Sequence, residues 1–178
     1  MLLALDISTS CTGYCVFDDN TNMIKIGAIK LDKQKDFITK VEKVRDSLKE
    51  VCKEFDIKSI AIEENLQAFR PGLSSANTLM KLAQFNGTIQ WVCYEIFRIS
   101  PKKINVNSAR KAVELKVDRK SDLSTKDQVL NWVKKELPDF DFPIRTLKSG
   151  RNKGQLRTCN ESYDMADAYV IGRSYFII

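Results

Sequence analysis

Three places in the chain put carboxylates where packing alone would not. Asp6 interrupts the apolar run LALDIS, Glu63 and Glu64 close the apolar stretch IAIEEN, and Asp164 and Asp167 sit in SYDMADAYVIG. A strand covered on both faces reads as an unbroken Val/Ile/Leu run, and a carboxylate inside it needs a partner, a proton or a metal. The i, i+3 spacing of Asp164 and Asp167 sets both on one helix face, which Ala168 and Ile171 extend toward a core. Taken singly, each acid has an ordinary reading: a hydrogen-bonded structural Asp6, solvated strand-end glutamates, and acids favoured by a helix N-terminus. Taken together they make a pattern. Several carboxylates within a few ångströms cannot all be charged without a counter-cation. Hard Mg²⁺ or Mn²⁺ takes oxygen ligands, and two such ions about 3.5–4 Å apart clamp an in-line phosphoryl displacement.

The elements that must position these acids can be read from pattern. Residues 1–8, 13–19 and 23–31 read as strands, with DDNTN (18–22) as a turn, giving an antiparallel meander. Over 35–55, apolar residues at Phe37, Ile38, Val41, Val44, Leu48, Val51, Cys52 and Phe55 mark an amphipathic helix. KSIAIEEN (58–65) reads as a fourth strand, reached by a crossover that makes it a parallel neighbour of the first. A loop at 69–77 leads into a long helix over 74–94, and EIFRISP (95–101) reads as a fifth strand stopped by Pro101. Residues 107–115, 124–137 and 161–175 read as helices, with STKD (124–127) as a capping-box variant. Residues 143–159 read as a basic loop or hairpin around Gly150 and Gly154. The expected fold is α/β: a mixed five-stranded sheet, three antiparallel strands then parallel ones, flanked by helices in one domain over 1–178.

Composition narrows the chemistry. The 178 residues contain no histidine, which excludes a Ser-His-Asp triad, a Cys-His dyad and a His-ligated zinc. The five cysteines include no CxxC pair, so reduced structural thiols are expected. No apolar run nears the roughly 20 residues of a membrane span, and no signal-peptide order is present; a soluble intracellular protein without membrane contact is expected. The net charge of +6 is unevenly spread: residues 1–67 carry −2 and residues 98–157 carry +9. PIRTLKSGRNKGQLR (143–157) has five basic residues and no acid, a pattern suited to a polyanion such as nucleic acid.

With these residues in view, the chain resembles the RuvC-type Holliday junction resolvases of the RNase H-like superfamily. The resemblance rests on Asp6 in LALDIS, Glu63 in IAIEEN and Asp164/Asp167 in YDMADAYVIG. It continues through SSANTLMKLAQFNGTIQ (74–90), ISPKKINVNSARKAV (99–113) and STKDQVLNWV (124–133). It implies a homodimeric, divalent-metal-dependent endonuclease that resolves four-way DNA junctions by paired nicks, leaving 5′-phosphate and 3′-hydroxyl ends. Two Mg²⁺ or Mn²⁺ ions per site are implied, and no organic cofactor. Asp6 would bridge the ions, Glu63 would hold one, and Asp164 and Asp167 the other or both; Lys126 would touch the phosphate or stabilise the transition state. Strand parity sends Glu63 and Glu64 to opposite faces, so only one can join Asp6, and the resemblance selects Glu63. Lys102, Lys103, Arg110, Lys111, Lys148, Arg151, Lys153 and Arg157 would contact phosphates, and Phe69 with Arg70 would meet the junction. The long helix at 74–94 would form the dimer.

The chain departs from the family pattern in three places, of which the first is a lengthened 69–73 region. Asp6-Ile7-Ser8 replaces the usual D-P-G or D-x-G, and the basic 143–157 segment is an insertion that suits a phage or viral version acting in a bacterial host's cytoplasm. Two rival readings remain: a broader branched-DNA or RNA–DNA hybrid nuclease of the same fold, and a catalytically silent nucleic-acid-binding module.

Overall fold

The computed structural model describes residues 1–64 and 76–178. β1 (Leu2–Ile7), β2 (Cys11–Phe17) and β3 (Met23–Lys30) form the antiparallel meander, followed by α1 (Phe37–Glu54), β4 (Ser59–Glu63) and α2 (Ala76–Phe97). Then come β5 (Lys102–Ile104), α3 (Val106–Ala112), α4 (Thr125–Glu136), a small hairpin of β6 (Ile144–Thr146) and β7 (Leu156–Thr158), and α5 (Asn160–Tyr175). The main sheet has the order β3-β2-β1-β4-β5, with β1, β4 and β5 parallel. The expected mixed five-stranded sheet is therefore present.

Alternation along β1 sorts its side chains into two cores. Leu3, Leu5 and Ile7 join Val44 and Leu48 of α1 and Phe85 and Ile89 of α2 on one face of the sheet. Leu2 and Ala4 face the other side, against Met165, Ala168 and Ile171 of α5 and Val129 and Val133 of α4. Fully buried Leu and Ile side chains of this kind contribute about 1.5–3 kcal/mol each. By the same alternation Asp6 points to the α5 side. Parallel pairing of β1 with β4 sets Ala4 beside Ala61 and Leu5 beside Ile62, so the next residues, Asp6 and Glu63, emerge side by side at the strand ends.

The fifth strand lies elsewhere than expected. Residues 95–97 continue α2, whose Val92, Cys93, Ile96 and Phe97 keep packing on the α1 side at helical spacing. The helix stops at Arg98, which adopts a left-handed φ of 58°. Pro101 precedes the strand rather than stopping it: with no N–H to offer a ladder, it stands just before Lys102. Among the described residues, no helix is long and apolar enough to cross a membrane.

Candidate active site

Asp6 sits one residue from the end of β1 and Glu63 ends β4. α5 crosses both strands and presents Asp164 and Asp167 one turn apart. Its close approach depends on Gly13 of β2, the residue paired with Asp6. A Cβ at Gly13 would lie 2.0 Å from the Asp164 carbonyl oxygen, so any side chain there would push the helix off the sheet. The four acids line one cavity of about 500 Å³, together with Glu64, Ser8, Ser10, Asn86, Arg110 and Lys126.

The cluster is short of positive charge. Burial holds the Asp6 carboxyl well above the usual carboxylate range, and the charges of Glu63, Asp167 and Asp164 raise it further. Glu63 is raised by burial and by Asp167, against a hydrogen bond with Asp6 and the charges of Arg110 and Lys126. Burial also raises Asp164, opposed by a hydrogen bond with the Cys11 thiol and by Lys126. Asp167 is raised by burial and restrained by Arg110 and Lys126. Arg110 of α3 reaches Asp167 at 3.5 Å. Lys126 stands in the first turn of α4, whose start is fixed by the Ser124 cap. The Tyr163 hydroxyl donates to Asp127 at 2.7 Å, tying α4 to α5.

The donor set suits a hard divalent cation. All four acids offer oxygen, and their raised affinity for protons marks a charge deficit that a cation would balance. Among the described residues no three acids stand close enough together to form a metal centre.

Glu64 follows Glu63 at the end of β4, and its N–H donates to the Ile104 carbonyl at 2.8 Å as the last bond of the β4–β5 ladder. Its side chain also lines the cavity and accepts from the Asn105 amide at 3.4 Å, while the glutamate whose charge raises Asp6 is Glu63. The serine in place of glycine after Asp6 closes the β1–β2 turn: Ser8 Oγ donates to the Cys11 carbonyl at 2.7 Å and accepts from the Cys11 N–H at 3.2 Å.

The basic candidates separate into groups. Arg110 lies in the acidic cavity, and Lys111 lines an adjoining one. Lys102 stacks over the Tyr175 ring at 5.1 Å, and Lys103 is exposed on the same short strand. Lys148, Arg151 and Lys153 are exposed on the connection between β6 and β7, where Gly150 (φ 82°) and Gly154 (φ 88°) supply the left-handed turns. Arg157 of β7 stands directly opposite Arg145 of β6. The sequence reading passed over Arg145, which lines a cavity of about 380 Å³ that also touches Asp164; the only signal was the basic run around it. Phe69 and Arg70 lie outside the described residues.

Residues 1–130 match the model of a protein family, DUF3882, described as "Lactococcus phage M3 protein". No curated protein matches the chain. Among solved structures, the fold is similar to Thermus thermophilus RuvC in complex with a Holliday junction substrate, with a TM-score of 0.65 and 15% identity over 99% of this chain and 92% of that one. A second Thermus thermophilus RuvC structure gives a TM-score of 0.60 and 14% identity over 99% and 93%. The chain thus has a RuvC-like fold.

Proposed function

Because the chain belongs to the phage family described as Lactococcus phage M3 protein and carries a RuvC-like fold, we propose that it is a structure-specific endonuclease that resolves four-way DNA junctions. The observation that carries this reading is the half-buried Asp6 at a strand end, sharing one cavity with Glu63, Asp164 and Asp167, all with raised affinity for protons.

In this reading Asp6, Glu63, Asp164 and Asp167 would hold two Mg²⁺ or Mn²⁺ ions, with Glu64 at the margin of the set. Such ions would supply a lowered pKa for a bound water and charge neutralisation for the phosphate, and the expected products carry 5′-phosphate and 3′-hydroxyl ends. Lys126, at the mouth of the cavity, fixes a phosphate oxygen. Asp6 anchors the site because its strand is held by neighbours on both sides, so its carboxylate cannot retreat. Paired nicks need two sites. The exposed face of α2 bearing Met80, Trp91 and Tyr94 supplies the surface for a homodimer. The exposed cations of 148–157 hold the arms of the junction by their backbone.

Cleavage of a synthetic four-way junction in Mg²⁺, wild type beside Asp6→Asn, tests the proposal. Symmetric nicks by the wild type alone support it. Equal or faster cleavage of a Y-fork or an RNA–DNA hybrid would move the assignment to a broader nuclease. Binding without cleavage by both proteins would make the chain a silent DNA-binding module.

A further inference from the structure

A second cavity, of about 790 Å³, lies between α3 and the start of α4. Four cations, Arg110, Lys111, Lys116 and Arg119, line it, against a single acid, Glu114. Among the described residues Lys111, Lys116 and Arg119 have no ion-pair partner, and Arg110 is paired with Asp167 outside this cavity. Gathering four like charges costs free energy unless an anion relieves it.

The basin is built by the chain rather than left by a loose loop. α3 ends at Ala112 with Val113 as its cap, Glu114 takes a left-handed φ of 57°, and the Leu115 N–H returns to the Arg110 carbonyl at 2.8 Å. The chain therefore doubles back and brings Lys116 and Arg119 toward Lys111. Gln128 of α4 then pins the returning segment. Its side chain accepts from the Asp118 N–H at 2.8 Å and donates to the Asp118 and Leu123 carbonyls at 2.9 and 3.0 Å. Leu115 and Val117 give the basin an apolar floor beneath its cationic rim.

Arg110 lines both this basin and the acidic cavity, so the two meet at its side chain. A strand rises about 3.4 Å per nucleotide. With its scissile phosphate at the carboxylates, it reaches the basin within a few nucleotides. We propose that the basin receives the phosphates next to the scissile one on the cleaved DNA strand, with Lys116 and Arg119 as their contacts and the sugars resting over Leu115 and Val117. The assignment rests on the junction-nuclease reading above.

The test is a Lys116→Ala/Arg119→Ala double variant, with Lys49→Ala, exposed on α1 across the sheet, as the control. Binding to a four-way junction and to a plain duplex is measured by fluorescence anisotropy in EDTA over a salt series. The expected result is affinity at least about tenfold weaker, with the slope of log K against log salt reduced by about 1.8, at 0.9 per lost phosphate contact. The control keeps the wild-type slope. A neutral methylphosphonate placed within a few nucleotides of the nick should weaken the wild type and leave the double variant unaffected. An unchanged slope, or equal methylphosphonate losses in both proteins, would overturn the basin. Single Lys116→Gln and Arg119→Gln variants, each expected to lose about half the slope change, serve if the double variant fails to fold. If the wild type cuts no junction, the nuclease reading fails by itself, while the slope comparison on duplex DNA still reads the basin.

Discussion

The guanidinium of Arg110 on α3 stands 3.5 Å from a carboxylate oxygen of Asp167 on α5, inside the cavity that holds Asp6 and Glu63. Both side chains are largely enclosed, at 20% and 14% exposure. A fixed monovalent cation thus shares the space that the proposed divalent ions would enter. The Arg110→Gln variant should bind Mn²⁺ more tightly than wild type in the absence of DNA, by about tenfold or about 1.4 kcal/mol, while cleaving junctions more slowly. Titration calorimetry reads the first effect. Weaker Mn²⁺ binding by the variant would show that Arg110 supports the ions rather than competing with them.

The raised carboxyls make stability depend on pH in a defined direction. The folded chain holds the Asp6 proton more tightly than the unfolded chain does. Its contribution is fully present below the unfolded value of about 3.9 and is lost as pH rises through the raised folded value. Without metal, Asp6→Asn should therefore melt close to wild type at pH 4 and above it at pH 8. The gap is about 2–4 °C per kcal/mol, and Mg²⁺ should narrow it by restoring the wild type. A gap that does not change with pH would contradict the assignment of burial to Asp6.

Gly13 has its own test. Because a Cβ there would fall 2.0 Å from the Asp164 carbonyl oxygen, Gly13→Ala should cost about 3 kcal/mol. Urea unfolding would show it as a lower midpoint with an unchanged slope. A loss below about 0.5 kcal/mol would mean that α5 can shift without consequence.

The β6–β7 hairpin carries Arg145 opposite Arg157, a like-charge pair that opposes the ladder. Lys148, Arg151 and Lys153 cap the same ribbon. Replacing residues 147–155 with Asn-Gly keeps the hairpin closed and removes the three tip cations. Junction affinity should fall and the salt slope should drop by about 2.7, with single-turnover cleavage of saturating junction within about twofold of wild type. A cleavage loss at saturation, with the slope intact, would place the tip in the chemistry instead.

On α2, Trp91 is 61% exposed and Met80 72%, unusual for large apolar side chains on a helix whose other face is core. Trp91→Glu should give a monomer in sedimentation velocity where the wild type sediments as a dimer. A wild-type monomer at tens of micromolar would remove α2 as the dimer surface.

The first four strands of the main sheet, the helix spacing and the odd placement of the acids were legible because they follow from local rules. The apolar run around it marked Asp6 as out of place, and i, i+3 spacing put Asp164 with Asp167. Where local rules stop, so did the reading. Pro101 marks a boundary but does not say on which side the strand lies, and only the continued packing of Ile96 and Phe97 extended α2.

By itself, the sequence narrowed the chemistry: with no histidine, an active site here runs on carboxylates, lysines, hydroxyls or metal ions. It also determined that Asp6 had to be accounted for. Only the tertiary structure decided which cations sit among those acids. Arg110 reads as one more basic residue in a positive stretch, yet the register of α3 against α5 turns it inward to Asp167. A fold-back after Glu114 gathers Lys116 and Arg119 beside it. Contacts between residues far apart in the chain depend on how helices pack, and no spacing along the sequence encodes them.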